Sequence, residues 1–355
     1  MTNVSSLNTS LNEIFTGCGC LLFCSNSYIK ECQNTTVRNC AACSIHLAQF
    51  ILAGFIITAV LIILGNGWFV ASVFTLKKKS RTRYDYAKAS LAIADAIGGV
   101  TLFVFNIPNL IWSLDTTGPK IKDYNEFVAS HSLAPKVAII LLHFNYSSSV
   151  YHILYATVNK FIAIKWPFQA NVKSTKQIFF HLAAVWSFSA LATLPMWFPE
   201  ARIVYQSELF SYMPTFDIKN VEGIVILTVG TFLLIVPYIA MTILTFVILY
   251  VLHFSNKKSQ SMRRSGNSRK VETNFWTTMA LMHLGFTLTV VPLLALVFLD
   301  IRRATTCTNG ILHFVLNFIA TMSGLVNVTI YSFRDRRFRH RTKTMFYKLG
   351  RINTS

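Results

Sequence analysis

Acid is scarce in this chain. Asp and Glu together number 14 against 33 Lys and Arg, for a formal charge of +19. Charged residues of both signs make up only 13% of the sequence, about half the share of a soluble domain. Between position 44 and position 306 there is no cysteine at all, so no disulfide can brace the middle of the chain. No HExxH, GxSxG or phosphate-cradling glycine loop occurs, and the histidines His46, His143, His152, His181, His283 and His313 are scattered. These absences remove the common hydrolase, metalloprotease and nucleotide-binding classes. No internal repeat is detectable either.

What fills the sequence is apolar, 53% of it, clumped into seven long runs near 48–76, 87–114, 137–164, 178–198, 224–253, 275–299 and 311–333. Each is close to the ~20 residues that cross a bilayer as a helix. The sequence therefore predicts an all-α membrane protein, a bundle of seven transmembrane helices. Pro108, Pro195, Pro237 and Pro292 fall inside predicted spans, where neighbouring helices re-satisfy the freed carbonyls and a kink is usual.

The basic residues are unevenly placed. Lys77, Lys78, Lys79, Arg81 and Arg83 follow the first span, and Lys160, Lys165, Lys173 and Lys176 the third. Lys257, Lys258, Arg263, Arg264, Arg269 and Lys270 follow the fifth. Eight more, from Arg334 to Arg351, follow the seventh. The opposite side holds far fewer. The positive-inside rule then puts the amino terminus outside and the tail in the cytoplasm, in a multi-pass protein of the plasma membrane. The charge orients the chain on a lipid bilayer and does not signal nucleic acid.

Residues 1–44 form a polar extracellular segment with glycosylation sequons at Asn3, Asn8 and Asn34 and with Cys18, Cys20, Cys24, Cys32, Cys40 and Cys43. Such density predicts disulfides in a segment too small for a core; six cysteines allow about 15 pairings. Cys307 is either a free thiol or the partner of Cys40 or Cys43. The short apolar run at 14–24 lacks a preceding basic residue, so the first span is expected to act as an uncleaved signal anchor. Residues 45–333 are the seven-helix domain. Residues 334–355 are basic, with Phe338, Met345, Phe346 and Leu349 on one helical face, and predict a short amphipathic helix on the inner membrane surface.

The third run should lie at the centre of the bundle. It carries Asn145, Ser147, Ser148, Ser149, His152, Asn159 and Lys160, polar groups that must face protein or water at membrane depth. Asp95, deep in the second run, is a functional candidate because an intramembrane carboxylate is costly.

These landmarks resemble the rhodopsin-like G-protein-coupled receptors. Gly65-Asn66 is similar to the family's first-helix GN, and Leu91-Ala92-Ile93-Ala94-Asp95 to its LxxAD. Trp186, Pro237, Phe286 and Pro292 match the fourth-, fifth- and sixth-helix landmarks. Asn327 and Tyr331 match the ends of NPxxY, and Phe338-Arg339 the FR that follows. The resemblance implies a receptor passing an extracellular ligand's signal to a heterotrimeric G protein, not an enzyme. It also implies a sodium site of Asp95, Asn145, Ser149, Ser323 and Asn327. The pairs 145/149 and 323/327 each stand one helical turn apart, and the set supplies hard oxygens with one negative charge. No other cofactor is implied.

An outer ligand pocket of Leu142, Tyr146, Val229, Leu233, Val290, Leu293, Leu294, His313, Asn317 and Thr321 follows from the same resemblance. Leu142 stands where amine receptors carry an acid, so a peptide or an apolar small molecule is expected. Switching and coupling fall to Asn159, Lys160, Phe161, Glu272, Phe286, Pro292 and Tyr331, with Lys160 and Glu272 as a latch. Departures from the pattern are Asn159-Lys160-Phe161 for Asp-Arg-Tyr, Thr289-Val290-Val291-Pro292 without the Trp before the Pro, Val328 for the Pro of NPxxY, Thr245 for a fifth-helix Tyr, and Pro135 for a third-helix Cys. They leave a second reading open, a non-signalling seven-helix binding or scavenger receptor.

Overall fold

The computed structural model of the chain describes residues 45–75, 81–108, 133–166, 175–199, 201–206, 211–216, 220–259, 277–278, 280–295, 310–334, 338–340 and 342. The sequons, all seven cysteines and Glu272 lie outside the described residues, and so does the side chain of His313.

Helix α1 runs Ile45–Phe74 and α2 Arg83–Thr101. Helix α3 runs Leu133–Lys165, α4 Thr175–Leu191 and α5 Val221–Ser259. Helix α6 covers Ala280–Ala295, α7 Gly310–Thr321 and α8 Ser323–Arg334. By length and composition α1, α2, α3 and α5 can each cross a membrane, and α7 and α8, bent by 43° at their junction, are together apolar enough to do so. The central place expected of the third span holds. Helix α3 packs against α2, α4 and α5, and 61% of its span is buried against 22% for α5.

Local chemistry explains the breaks. Helix α2 opens on a capping box: Thr82 Oγ1 accepts from the Asp85 N–H at 3.3 Å, and Asp85 Oδ2 accepts from the Thr82 N–H at 2.7 Å. Such a cap contributes about 1 kcal/mol. At its carboxyl end α2 widens into a π-helical turn, Leu102–Asn106, where the Ile107 N–H bonds Leu102 O. Pro108 follows, and the wider turn is one of the usual ways a helix accommodates a disturbance of its ladder.

The fourth span differs from expectation. Pro195 does not kink it; α4 ends at Leu191, and Pro195 sits early in a separate 3-10 turn, Leu194–Trp197, where its missing N–H costs nothing. The seventh bends without any proline. Met322 N–H reaches Ile319 O at 3.1 Å, three residues back, and α8 restarts with Val326 N–H on Met322 O. From α1, Asn66 Nδ2 donates to Gly324 O at 3.3 Å, just past the bend.

One small element beside the helices is not helical. Between α4 and α5 an antiparallel hairpin pairs β1, Ala201–Gln206, with β2, Ser211–Phe216, in the register Ala201↔Phe216 to Gln206↔Ser211. The hairpin rests on α3 and α5. Ile203, Val204, Tyr205, Tyr212 and Thr215 suit a pleated strand. The amphipathic tail helix is described only in part: residues 338–340 are helical, Phe338 is buried against Phe69 with ring centroids 5.1 Å apart, and Arg339 and His340 are exposed.

Candidate functional site

Asp95 lies midway along α2, 1% exposed. Asn327 Nδ2 of α8 donates to its Oδ2 at 3.0 Å, and Ser149 Oγ of α3 donates to its Oδ1 at 3.4 Å. Three helices thus converge on one carboxylate. Asn145, one turn outward of Ser149, gives its Nδ2 to Ala94 O at 2.9 Å. Ser323 is buried beside Gly324, and a Cβ on Gly324 would stand 3.2 Å from Asp95 Cβ. A cavity of about 20 Å³ opens here, lined by Asp95, Asn106, Asn145, Tyr146, Thr321 and their apolar neighbours. It has room for about one water. All five residues expected at this site are buried, and Asp95, Ser149 and Asn327 touch.

A second buried polar chain ties α2, α3 and α4. Trp186 Nε1–H donates to Ser90 Oγ at 2.8 Å, and Ser90 Oγ lies 2.8 Å from His152 Nε2. His152 Nδ1 lies 2.8 Å from Ser148 O, which can only accept. The proton is therefore on Nδ1, Nε2 accepts, and Ser90 donates to it while accepting from Trp186. Ser90→Ala would orphan the buried His152 and the half-buried Trp186 at once, at about 1–3 kcal/mol for the buried one and less for the other. The thermal midpoint of the purified protein is expected to drop by about 5–10 °C. A Ser148→Ala control, which removes a 3.1 Å hydroxyl contact to His152 Nδ1 but leaves the closer Ser148 carbonyl in place, should cost less. Equal losses would show the chain to be incidental.

Of the outer residues, Leu142, Tyr146 and Thr321 line the Asp95 cavity. Val290, Leu293 and Asn317 are buried, and Leu233 and Leu294 are half-buried. Val229 differs from the rest: it is 48% exposed. The hydroxyl of Tyr146 is buried with no hydrogen-bond partner among the described residues.

At the inner end Asn159 Nδ2 donates to Tyr155 O of its own helix at 2.8 Å, and Lys160 is buried. The aromatic ring of Phe161 packs edge-on to Trp166, and Lys165 lies over both. Phe286 is buried against Tyr238, and Pro292 is half-buried in α6. Tyr331 is wholly buried, its ring stacked on Phe69 at 4.8 Å.

Sequence reasoning passed over Ser90 and Lys88. The basic residues counted on the two membrane faces leave out Lys88, a buried ammonium 5.8 Å from the centroid of the Tyr331 ring. It stands at the start of the 87–114 run, so the sequence offers little to mark it.

Comparison with known proteins gives the family and the fold. Residues 65–331 match the family described as 7 transmembrane receptor (rhodopsin family). A crystal structure of squid rhodopsin is similar with a TM-score of 0.64 at 16% identity, covering 86% of this chain and 87% of that one. No match is found among curated protein sequences.

Proposed function

Because the chain belongs to the rhodopsin family of seven-transmembrane receptors, a family of receptors rather than enzymes, we propose that it binds an extracellular peptide or apolar small molecule and passes the signal to a heterotrimeric G protein. The amino terminus is outside and the basic tail inside, as the charge distribution argues. The observation that carries the reading is the convergence of α2, α3 and α8 on Asp95, in a small cavity that Leu142, Tyr146 and Thr321 also line. A ligand seated above that cluster acts on three helices at once. It shifts the population of states by the difference in its affinity for them.

The donor set fits a sodium ion. Each Asp95 oxygen accepts one hydrogen bond and keeps lone pairs free, and Ser149 and Ser323 add hydroxyl oxygens. Asn327 and Asn145 give their amide N–H groups to Asp95 and to Ala94 O; they would steady the carboxylate and the backbone around the ion. When bound, the ion supplies the counter-charge for Asp95.

Tyr146 would be the polar anchor of the ligand, since its buried hydroxyl has no partner among the described residues. A ligand screen on cells, read by receptor internalisation so that it is independent of coupling, identifies a binder. Tyr146→Phe is then expected to weaken that ligand about tenfold, as loss of one hydrogen bond of about 1.4 kcal/mol would, with surface level unchanged. Unaltered potency would remove Tyr146 from the pocket. A second reading, a binding receptor without coupling, is favoured by Asn159: it bonds its own helix at Tyr155 O and brings no acid to Lys160. Ligand-stimulated nucleotide exchange on purified G proteins separates the two.

A further inference from the structure

We infer that Lys88 is a positioning residue: its ammonium, drawn to the face of the Tyr331 ring, holds Tyr331 in its buried resting place and so biases the receptor toward its inactive arrangement. The second half of that statement rests on the signalling function proposed above; the first does not.

Lys88 lies seven residues inward of Asp95 on α2, two helical turns and about 10 Å along the axis. An ammonium inside an apolar span is expensive and needs a partner. Lys88 Nζ lies 5.8 Å from the centroid of Tyr331, within the reach of a cation–π attraction, which strengthens as the pair is desolvated. Both residues are buried, Lys88 at 9% exposure and Tyr331 at none. The Tyr331 hydroxyl has no hydrogen-bond partner among the described residues, so what is held is the ring.

The ring is also the joint of several elements. Phe69 of α1 stacks on it at 4.8 Å, and Phe338, beyond α8, packs on Phe69 in turn. On the remaining side a cavity of about 10 Å³ separates Tyr331 and Lys88 from His152 and Ala156 of α3 and Met282 of α6. That space is at the lower limit for one water. A shift of α6 would enlarge it and give the ring somewhere to go. The cation on α2 opposes that move, because leaving it would strip a buried charge of its aromatic partner. At Asn159 the chain has no acid to restrain the inner end of α3; Lys88 restrains the inner end of α8 instead.

The test is a double-mutant cycle on the full chain, purified in lipid nanodiscs and followed by thermal unfolding. Lys88→Met is expected to lower the midpoint by about 2–4 °C in the native background and equally in Tyr331→Phe, which keeps the ring. In Tyr331→Leu the same change should cost clearly less, because the ring's share of the loss is already gone. Lys88→Arg, which keeps a cation suited to stacking, should restore the native midpoint. An equal effect of Lys88→Met with and without the ring, or a rise in the native background, would overturn the tether. Ligand-free signalling in cells supplies the second readout, with Lys88→Met raising it several-fold and Lys88→Arg leaving it unchanged. A coupled cycle with flat signalling would uphold the contact and overturn its role as a restraint on activation.

Discussion

Gly98→Val is expected to leave almost no folded protein at the cell surface. A Cβ built on Gly98 stands 2.5 Å from Asn145 Nδ2, 2.6 Å from its Cγ and 2.9 Å from its Oδ1, closer than real atoms approach. Asn145 has little room to yield. It is buried in α3, and its amide is engaged by Ala94 O, one turn back on the same helix as Gly98. To admit even a methyl group, either α2 and α3 must separate or Asn145 must leave its partner. The first opens the cluster around Asp95, and the second strands a buried amide at about 1–3 kcal/mol. Overpacking adds about 1–3 kcal/mol more, against a total stability of about 5–15 kcal/mol. Surface labelling of an epitope-tagged receptor gives the outcome directly. Asn145→Ala placed in a Gly98→Ala background should recover part of the expression that Gly98→Ala alone loses. Native surface levels for Gly98→Val would mean the two helices are further apart than described.

The same contact shows how far the sequence could be read. An acid inside an apolar run announces itself, so Asp95 was legible as a buried carboxylate, and the family resemblance named Asn145, Ser149, Ser323 and Asn327 as its neighbours. Ser149 and Asn327 do reach the carboxylate. Which atoms they offer was not legible. An asparagine can present an oxygen or a nitrogen, and here both Asn145 and Asn327 present N–H groups. Ser90, His152 and Trp186 were illegible as a set because each is unremarkable on its own span; only the packing of α2, α3 and α4 joins them. Lys88 was hidden by the edge of its run, where a lysine passes for an end-of-span charge. The hairpin of β1 and β2 is two six-residue stretches whose alternation is too short to stand out beside seven spans. Pro195 misled because a proline within an apolar run is equally compatible with a kink and with a stop, and here α4 stops before it.

Asp95→Ala is expected to abolish a sodium response while sparing the fold. Exchanging sodium for potassium at constant ionic strength should lower the thermal midpoint of the native protein and leave that of the variant unmoved. The reasoning is linkage: an ion that binds the folded state alone stabilises it by about 2.7 kcal/mol when present at about 100 times its dissociation constant. Removing the carboxylate removes the only acid among the cavity's lining residues. The structural cost of the substitution is bounded. Ser149 and Asn327 each lose an acceptor, about 1–3 kcal/mol apiece, but a buried charge that was costly to desolvate goes with it. Surface expression should therefore stay near native, unlike that of Gly98→Val. Asp95→Asn separates the contributions further. It keeps one oxygen acceptor for Asn327 and gives up the charge, while its N–H groups meet Ser149, whose hydroxyl can turn to accept, so it should fold close to the native chain and still ignore sodium. If both variants keep the native sodium shift, the ion does not sit at Asp95, and the cluster is a hydrogen-bonded joint among α2, α3 and α8.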